Sequence, residues 1–197
     1  MLILRATGEG EIFFRQSRVG LEGKHFKLFK LATMLKNSPK IGTGTVTIKN
    51  DPRILPFGNF LRKTKINELP QLINILKGDM SFIGPRPQTQ RCFNAYPLSS
   101  QKEIIKVRPG LSGVGSIIFS SEEEMIQNNY DSENFYDEIV MPYKGSLEVW
   151  YVSNQGIISY FYLIFFTILA LLGLNKGLIW RIFKDLPSPP PELIKWI

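Results

Sequence analysis

Alternation of apolar and polar side chains marks the first elements of the chain. The stretch from His25 to Leu31, HFKLFKL, sets Phe26 and Leu28 on one face and adds Phe29 less cleanly, which predicts a strand. Ile12 to Arg15 is a shorter apolar run with strand character. Between them, Arg18 to Lys24 is a glycine-punctuated turn. Asn37 to Asn50 is polar and contains glycine, and reads as a loop or an edge hairpin. Ile54 to Leu61, interrupted by Pro56 and Gly58, fits either a helix or an extended segment.

The period changes after Ile66. Apolar residues at Ile66, Leu69, Leu72, Ile73 and Leu76 share one face and predict a helix from Asn67 to Lys77. Asn67 suits its N-cap, Glu68 suits the positive end of its dipole, and Pro70 falls in the first turn, where a missing N–H costs little. Gly78 is placed to end it. Met80 to Ile83 is short and apolar and leads into Gly84-Pro85-Arg86-Pro87, a rigid basic loop. Ser99 to Val107 predicts a helix, Arg108-Pro109-Gly110 a second rigid basic loop, and Glu122 to Tyr136 an acidic helical segment.

Patterning stops at Val149. From there to Asn175 the chain carries no Asp, Glu, Lys, Arg or His over 27 residues. A run of about 18 apolar residues is long enough to cross a bilayer, while a buried core helix is the alternative. Trp150, Tyr151, Tyr160 and Tyr162 suit a membrane interface, and Lys176, Arg181 and Lys184 follow directly. Residues 186–197 form a proline-rich tail that cannot continue a helix.

Composition narrows the chemistry. The chain has 197 residues, 44% hydrophobic and 21% charged, as a folded domain of ordinary size does. One cysteine, Cys92, excludes an internal disulfide framework and a multi-cysteine metal site, and is expected to pack as a small apolar residue. One histidine, His25, argues against histidine-rich metal sites and a Ser-His-Asp mechanism. The formal charge is +7 and is unevenly spread. Residues 1–119 hold 19 Lys and Arg against 7 Asp and Glu, and residues 120–197 hold 5 against 10. The first part is therefore built for an anionic partner: a nucleic acid, a phosphorylated substrate or an acidic lipid. The aromatic–basic run Phe26-Lys27-Leu28-Phe29-Lys30 could stack bases, but the long uncharged run fits a nucleic-acid binder badly, and no nucleic-acid partner is expected.

One block is more specific than any of these features. Asp51-Pro52-Arg53, Phe60-Leu61-Arg62-Lys63-Thr64, Asn67-Glu68-Leu69-Pro70-Gln71, Lys77-Gly78-Asp79-Met80-Ser81 and Gly84-Pro85-Arg86-Pro87 follow in order. With Phe13-Phe14-Arg15-Gln16, Arg18-Val19-Gly20, the Lys30 strand, Val107 to Gly113 and Leu147 to Tyr151, the chain resembles the bacterial sugar transferases over about residues 10 to 174. These are monotopic polyprenyl-phosphate phosphoglycosyl transferases. The resemblance implies a mixed α/β, compact, membrane-associated fold with several helices, some amphipathic and interfacial, and a small sheet. It implies transfer of a phospho-sugar from a nucleotide-diphosphate sugar, a UDP-sugar by expectation, to polyprenyl phosphate. That step starts surface glycan assembly at the cytoplasmic face of the bacterial inner membrane. Magnesium is the implied cofactor. The nucleotide-diphosphate sugar, polyprenyl phosphate and membrane lipid are the implied partners.

The residues suit that task. Phosphoryl transfer needs neutralised charge at the diphosphate more than elaborate covalent machinery. Arg62, Arg86 and Arg108 sit beside rigid turns or helix starts, and with Lys30 they are the candidate phosphate ligands. Glu68 is the candidate magnesium ligand, and Glu68 with Asn67 forms the candidate catalytic pair. Asp79 and Glu148 are possible further acids.

Two departures from the family pattern matter. The family pair is Asp-Glu, in which the Asp attacks phosphorus to give a covalent phospho-sugar enzyme. Here it is Asn67-Glu68, and an amide is no such nucleophile. Three readings are consistent with that change: a catalyst using another route, with Glu68 as nucleophile or with direct attack by polyprenyl phosphate; a non-catalytic relative that binds nucleotide sugar or lipid phosphate; and a subfamily whose site is arranged differently. Second, only Met1 to Glu11 precede the Phe13-Phe14 block, where the family carries a long re-entrant helix, so a late or truncated start is expected. Basic flanks on both sides of the uncharged run favour a helix lying in the interface over one that spans. The expected organisation is a catalytic domain over 10–148, a hydrophobic membrane-associated segment over 149–185 and the tail over 186–197.

Overall fold

A two-stranded ribbon opens the computed structural model, which describes residues 9–41, 47, 50–120, 122–127, 132–174 and 177–197. Strand β1, Phe13–Val19, pairs antiparallel with β2, His25–Leu31, in a register that sets Phe14 opposite Lys30 and Arg18 opposite Phe26. The turn between them uses the left-handed region at Glu22 and Gly23, with φ of 56° and 73°, as the glycine punctuation predicted. The period of two then puts Phe14, Gln16 and Arg18 on the same face as Phe26, Leu28 and Lys30.

Beyond β2 the chain forms a short 3₁₀ turn at Ser38–Lys40, and most of the expected loop or hairpin lies outside the described residues. Asp51 and Arg53 are both buried, and Asp51 accepts from the Arg53 backbone N–H at 3.0 Å and from its Nε at 2.8 Å. Arg53 Nη1 in turn donates to the carbonyls of Ser38 and Ile41. The Asp-Pro-Arg motif is therefore a tie between two loops.

Ile54 to Leu61 resolves in favour of a helix, α1, Pro56–Lys63, with Pro56 in its first turn. The expected helix from Asn67 is shorter and differently capped. Ile66–Glu68 is a 3₁₀ turn entered through Lys65 at φ 58°, Pro70 is the N-cap, and α2 covers Gln71–Leu76. Asn67 lies inside the 3₁₀ turn, buried, and caps nothing. Gly78, at φ 79°, ends the segment as expected.

The apolar face of α2, continued by Leu69 just before it, is turned outward: Leu69, Leu72, Ile73 and Leu76 are exposed, while Gln71 and Asn74 are buried. Asn74 explains the inversion. Its Oδ1 accepts from the Phe29 N–H at 3.0 Å, and its Nδ2 donates to the Lys27 carbonyl at 2.8 Å and to Asp79 Oδ2 at 3.1 Å. A buried amide making three hydrogen bonds holds the polar face against β2.

Strand β3, Ser81–Ile83, pairs parallel with β4, Gly110–Ser112. Helices α3, Gln90–Asn94, and α4, Leu98–Ile104, connect them; Thr89 caps α3 through its side chain. Then come α5, Val114–Ile118; α6, Glu122–Gln127; and α7, Ser132–Phe135, which runs through a π turn at Tyr136–Val140 into α8, Met141–Ser153. The acidic segment is thus helical where it is described.

The uncharged run is broken. Its first residues finish α8, Asn154 to Gly156 turn the chain, and α9 spans Ile157–Leu171, with α10 at Leu178–Ile182. Among the described residues no helix is long and apolar enough to cross a membrane. One face of α9 is core, with Leu163 and Phe166 buried, and its outer face leaves Ile157, Ile158, Phe161 and Phe165 exposed. Trp150 and Tyr151, read from the sequence as interfacial, are buried instead. The tail also packs inward: Leu186 and Leu193 join the cluster of Val114, Ile117, Val140, Met141 and Leu147.

Candidate active site

The Ile66–Glu68 turn presents Glu68 to two cations from distant elements. Lys30 Nζ on β2 reaches Glu68 Oε1 at 3.1 Å, and Arg86 Nη2, from the Gly-Pro-Arg-Pro loop after β3, reaches the same oxygen at 2.8 Å. Burial alone would push the Glu68 carboxyl up. Arg86 first, then Lys30, and to a lesser degree Lys65, outweigh it and hold the group well below the usual carboxylate range. Lys30 is pushed down to about 8 by burial, against the pull of Glu68.

Arg18 completes the cationic wall and was not among the candidates drawn from the sequence. It lies on the same ribbon face as Lys30. Its Nη1 donates to the Pro87 carbonyl at 3.2 Å and its Nη2 to Gln16 Oε1 at 2.6 Å. Burial, and next the nearby Arg86, push it down to about 10. Strand alternation was the available signal, since Arg18 and Lys30 fall on one face once the strands pair.

The Arg86 loop is fixed by backbone. Gly84 N–H donates to the Ser112 carbonyl and Gly110 N–H to the Pro85 carbonyl. A Cβ on Gly110 would stand 2.1 Å from Gly84 N, so the two chains meet where only glycine fits. Glu148 of α8 is buried behind this loop, and its Oε1 accepts from the Arg86 N–H at 3.3 Å. Burial pushes the Glu148 carboxyl up to about 7.

The remaining candidates are dispersed. Arg62 pairs with Glu123 of α6 and approaches Met34 Sδ at 3.8 Å. Arg108 is exposed at the turn before β4. Asp79 serves Asn74. Asn67 is buried beside Glu68 in sequence, its Oδ1 without a hydrogen-bond partner. The geometry thus gathers Lys30, Glu68 and Arg86 and brings Glu148 up behind Arg86.

A magnesium ion accepts one or two carboxylates together with phosphate oxygens and water. Among the described residues no group of three His, Cys, Asp or Glu could hold a metal ion by itself. The donors present are the Glu68 carboxylate and the orphaned Asn67 Oδ1. That set, with Arg86 and Lys30 already on Glu68, fits an ion that arrives with a diphosphate and not one held by protein alone.

The pattern describing bacterial sugar transferases matches residues 1–173. The chain is 38% identical over 120 residues to the UDP-glucose:undecaprenyl-phosphate glucose-1-phosphate transferase of Escherichia coli strain K12, covering 59% of this chain and 25% of that protein. It is 35% identical over 175 residues to the galactosyl transferase CpsE of Streptococcus agalactiae, covering 83% and 35%. It is 31% identical over 159 residues to the undecaprenyl-phosphate galactose phosphotransferase of Salmonella typhimurium, covering 74% and 30%. The chain thus spans between a quarter and about a third of the length of these relatives.

Proposed function

The chain belongs to the bacterial sugar transferase family, and from that premise we propose that it transfers a phospho-sugar from a UDP-sugar to polyprenyl phosphate. The observation that carries this reading is Glu68 held ionised between Arg86 and Lys30. With Arg18 behind them, these cations outnumber the carboxylate and leave positive charge for a diphosphate. Glu68 would be the protein carboxylate for magnesium and Asn67 Oδ1 a further oxygen donor, and the ion would supply charge neutralisation at the diphosphate.

The side chains support direct attack. An oxygen of polyprenyl phosphate would bond to the phosphorus next to the sugar, the bridge to the nucleotide phosphate would break, and UMP would leave. Asn67 cannot take the covalent step. Glu68, compensated by two cations, is better suited to holding charge than to attacking phosphorus. The outward apolar faces of α2 and α9 support seating at a membrane surface, where the lipid acceptor resides, and we place that seat at the cytoplasmic face of the inner membrane.

Incubation with a panel of UDP-sugars, magnesium and polyprenyl phosphate should release UMP. Asn67→Asp and Glu68→Gln are run beside the natural chain. An inert natural chain beside an active Asn67→Asp variant would establish the second reading, a relative that binds nucleotide sugar or lipid phosphate without turnover. The buried Asn67 side chain, with its Oδ1 unpartnered, is the observation that favours that reading.

A further inference from the structure

Helix α8 touches the Arg86 loop at two points one turn apart. Tyr151 OH donates to the Ile83 carbonyl at 3.1 Å, where β3 ends. Glu148 Oε1 accepts from the Arg86 N–H at 3.3 Å, three residues further along the loop. The bracketed segment, Ile83-Gly84-Pro85-Arg86, carries the guanidinium that binds Glu68.

We propose that Glu148, acting with Tyr151, is a positioning residue that fixes the Arg86 backbone so that its guanidinium meets Glu68 and the incoming diphosphate.

Three further features support the assignment. Glu148 is 1% exposed and in the middle of a helix, so its carboxylate reaches neither solvent nor a surface partner. Gly115 leaves the space the carboxylate occupies, since a Cβ there would stand 2.5 Å from Glu148 Oε1. The second oxygen, Oε2, is buried without a hydrogen-bond partner, so the group tolerates an unsatisfied atom in a position where an apolar residue would pack more cheaply. A buried polar group kept at such cost is explained by the one bond it makes. That bond goes to the only amide in the loop's Pro-Arg-Pro segment, because Pro85 and Pro87 have no N–H. Without Glu148, the Arg86 N–H has no other partner in view to set its direction, and the side chain that follows loses its base.

The test follows hydrogen exchange and turnover in Glu148→Ala, Glu148→Gln and Tyr151→Phe, with thermal melting as the control for folding. The Arg86 amide is the one exchanging site between Gly84 and Gln88, so a peptide covering that stretch isolates it. Expected for Glu148→Ala is exchange at Arg86 faster by about tenfold or more, with UMP release falling in kcat by roughly tenfold and KM for the UDP-sugar moving less. Glu148→Gln, which keeps an acceptor oxygen in place, should restore both. Tyr151→Phe should loosen Gly84 and Arg86 together by a smaller factor.

Rapid exchange in Glu148→Ala with kcat unchanged would overturn the proposal. So would a Gln variant with a protected Arg86 amide and no recovery of kcat, since the carboxylate would then be needed for itself. If Glu148→Ala does not fold, Glu148→Gln and Tyr151→Phe still decide. The kcat arm rests on the transferase reading and the exchange arm does not, so a natural chain without turnover would sink that reading and leave the loop assignment to stand or fall on the Arg86 amide.

Discussion

Glu68 Oε1 and Arg86 Nη2 lie 2.8 Å apart, joining a turn before α2 to a loop after β3. The pair is mostly enclosed, with the Glu68 side chain 12% exposed and that of Arg86 33%. Removing Arg86 would leave Glu68 with Lys30 as its close partner, 3.1 Å away.

Arg86→Ala should therefore lower stability by roughly 2 kcal/mol, less than a fully buried pair would lose, because one cation remains and Arg86 is partly solvated. It should lower kcat/KM by about a hundredfold, the scale of a lost charge-stabilising donor. The pH dependence has a definite sign. Glu68 is depressed in the folded state, so its contribution is present above the ordinary carboxylate range and is lost as pH falls through the folded value. Losing Arg86 raises that value, so acid unfolding of the variant should begin at higher pH. Chemical denaturation across a pH series, beside UMP release, checks both.

Glu148 should act in the opposite direction. Its folded value, about 7, lies above the 4.5 of a free glutamate. A raised acid favours folding when protonated, so its stabilising contribution is full below about 4.5 and is lost as pH rises through about 7. The span corresponds to roughly 3 kcal/mol. Glu148→Gln cannot ionise and should flatten this decline, being more stable than the natural chain at pH 8 and close to it at pH 4.5. Melting temperatures at the two pH values measure it.

Gly110 and Gly78 differ in why they are glycine. A Cβ on Gly110 would lie 2.1 Å from Gly84 N and 2.4 Å from the Ser112 carbonyl, so the β3–β4 pairing itself would have to open. Gly110→Ala should cost roughly 3 kcal/mol, at the upper end of overpacking. Gly78 has φ 79° and nothing within 4 Å, so Gly78→Ala should cost about 1 kcal/mol, the left-handed penalty alone. Urea unfolding of the two variants checks the ranking, and Gly110→Ala alone should disturb the Arg86 loop.

What was legible in the sequence follows from what periodicity encodes. HFKLFKL is a strand over the residues read as one, because alternation and β-pairing report the same geometry. Leu69, Leu72, Ile73 and Leu76 were correctly grouped, but periodicity says which residues share a face and not where that face points. Asn74, with bonds to Phe29 and Lys27 some 45 residues away, turns it outward. Glu68 was legible from its motif. Arg18 was legible only through the strand alternation that sets it on the face of Lys30, and the Glu148–Arg86 bond was not legible at all, because its partners lie 62 residues apart and no local pattern marks them. Hydropathy likewise weighed Trp150 and Tyr151 with the lipid-like run, although the polar Ser153-Asn154-Gln155-Gly156 that separates them from α9 was visible in the sequence.

The outward face of α2 yields the last prediction. Leu76, the last residue of α2, is 88% exposed and Leu69, just before the helix, 57%, an unusual position for two leucines on one face. Neither contributes much to the folded core, so Leu76→Asp and Leu69→Asp should leave the melting temperature nearly unchanged. If this face seats in lipid, each leucine gains about 2 kcal/mol on insertion, and a charge in its place forfeits at least that much. Co-sedimentation with anionic phospholipid vesicles should then weaken by roughly thirtyfold for either variant. UMP release from a water-soluble, short-chain polyprenyl phosphate should change far less than release from the long-chain lipid in vesicles. Unaltered vesicle binding in both variants would remove α2 from the membrane-facing surface and leave the outer face of α9, with Ile157, Ile158 and Phe161, as the element to test.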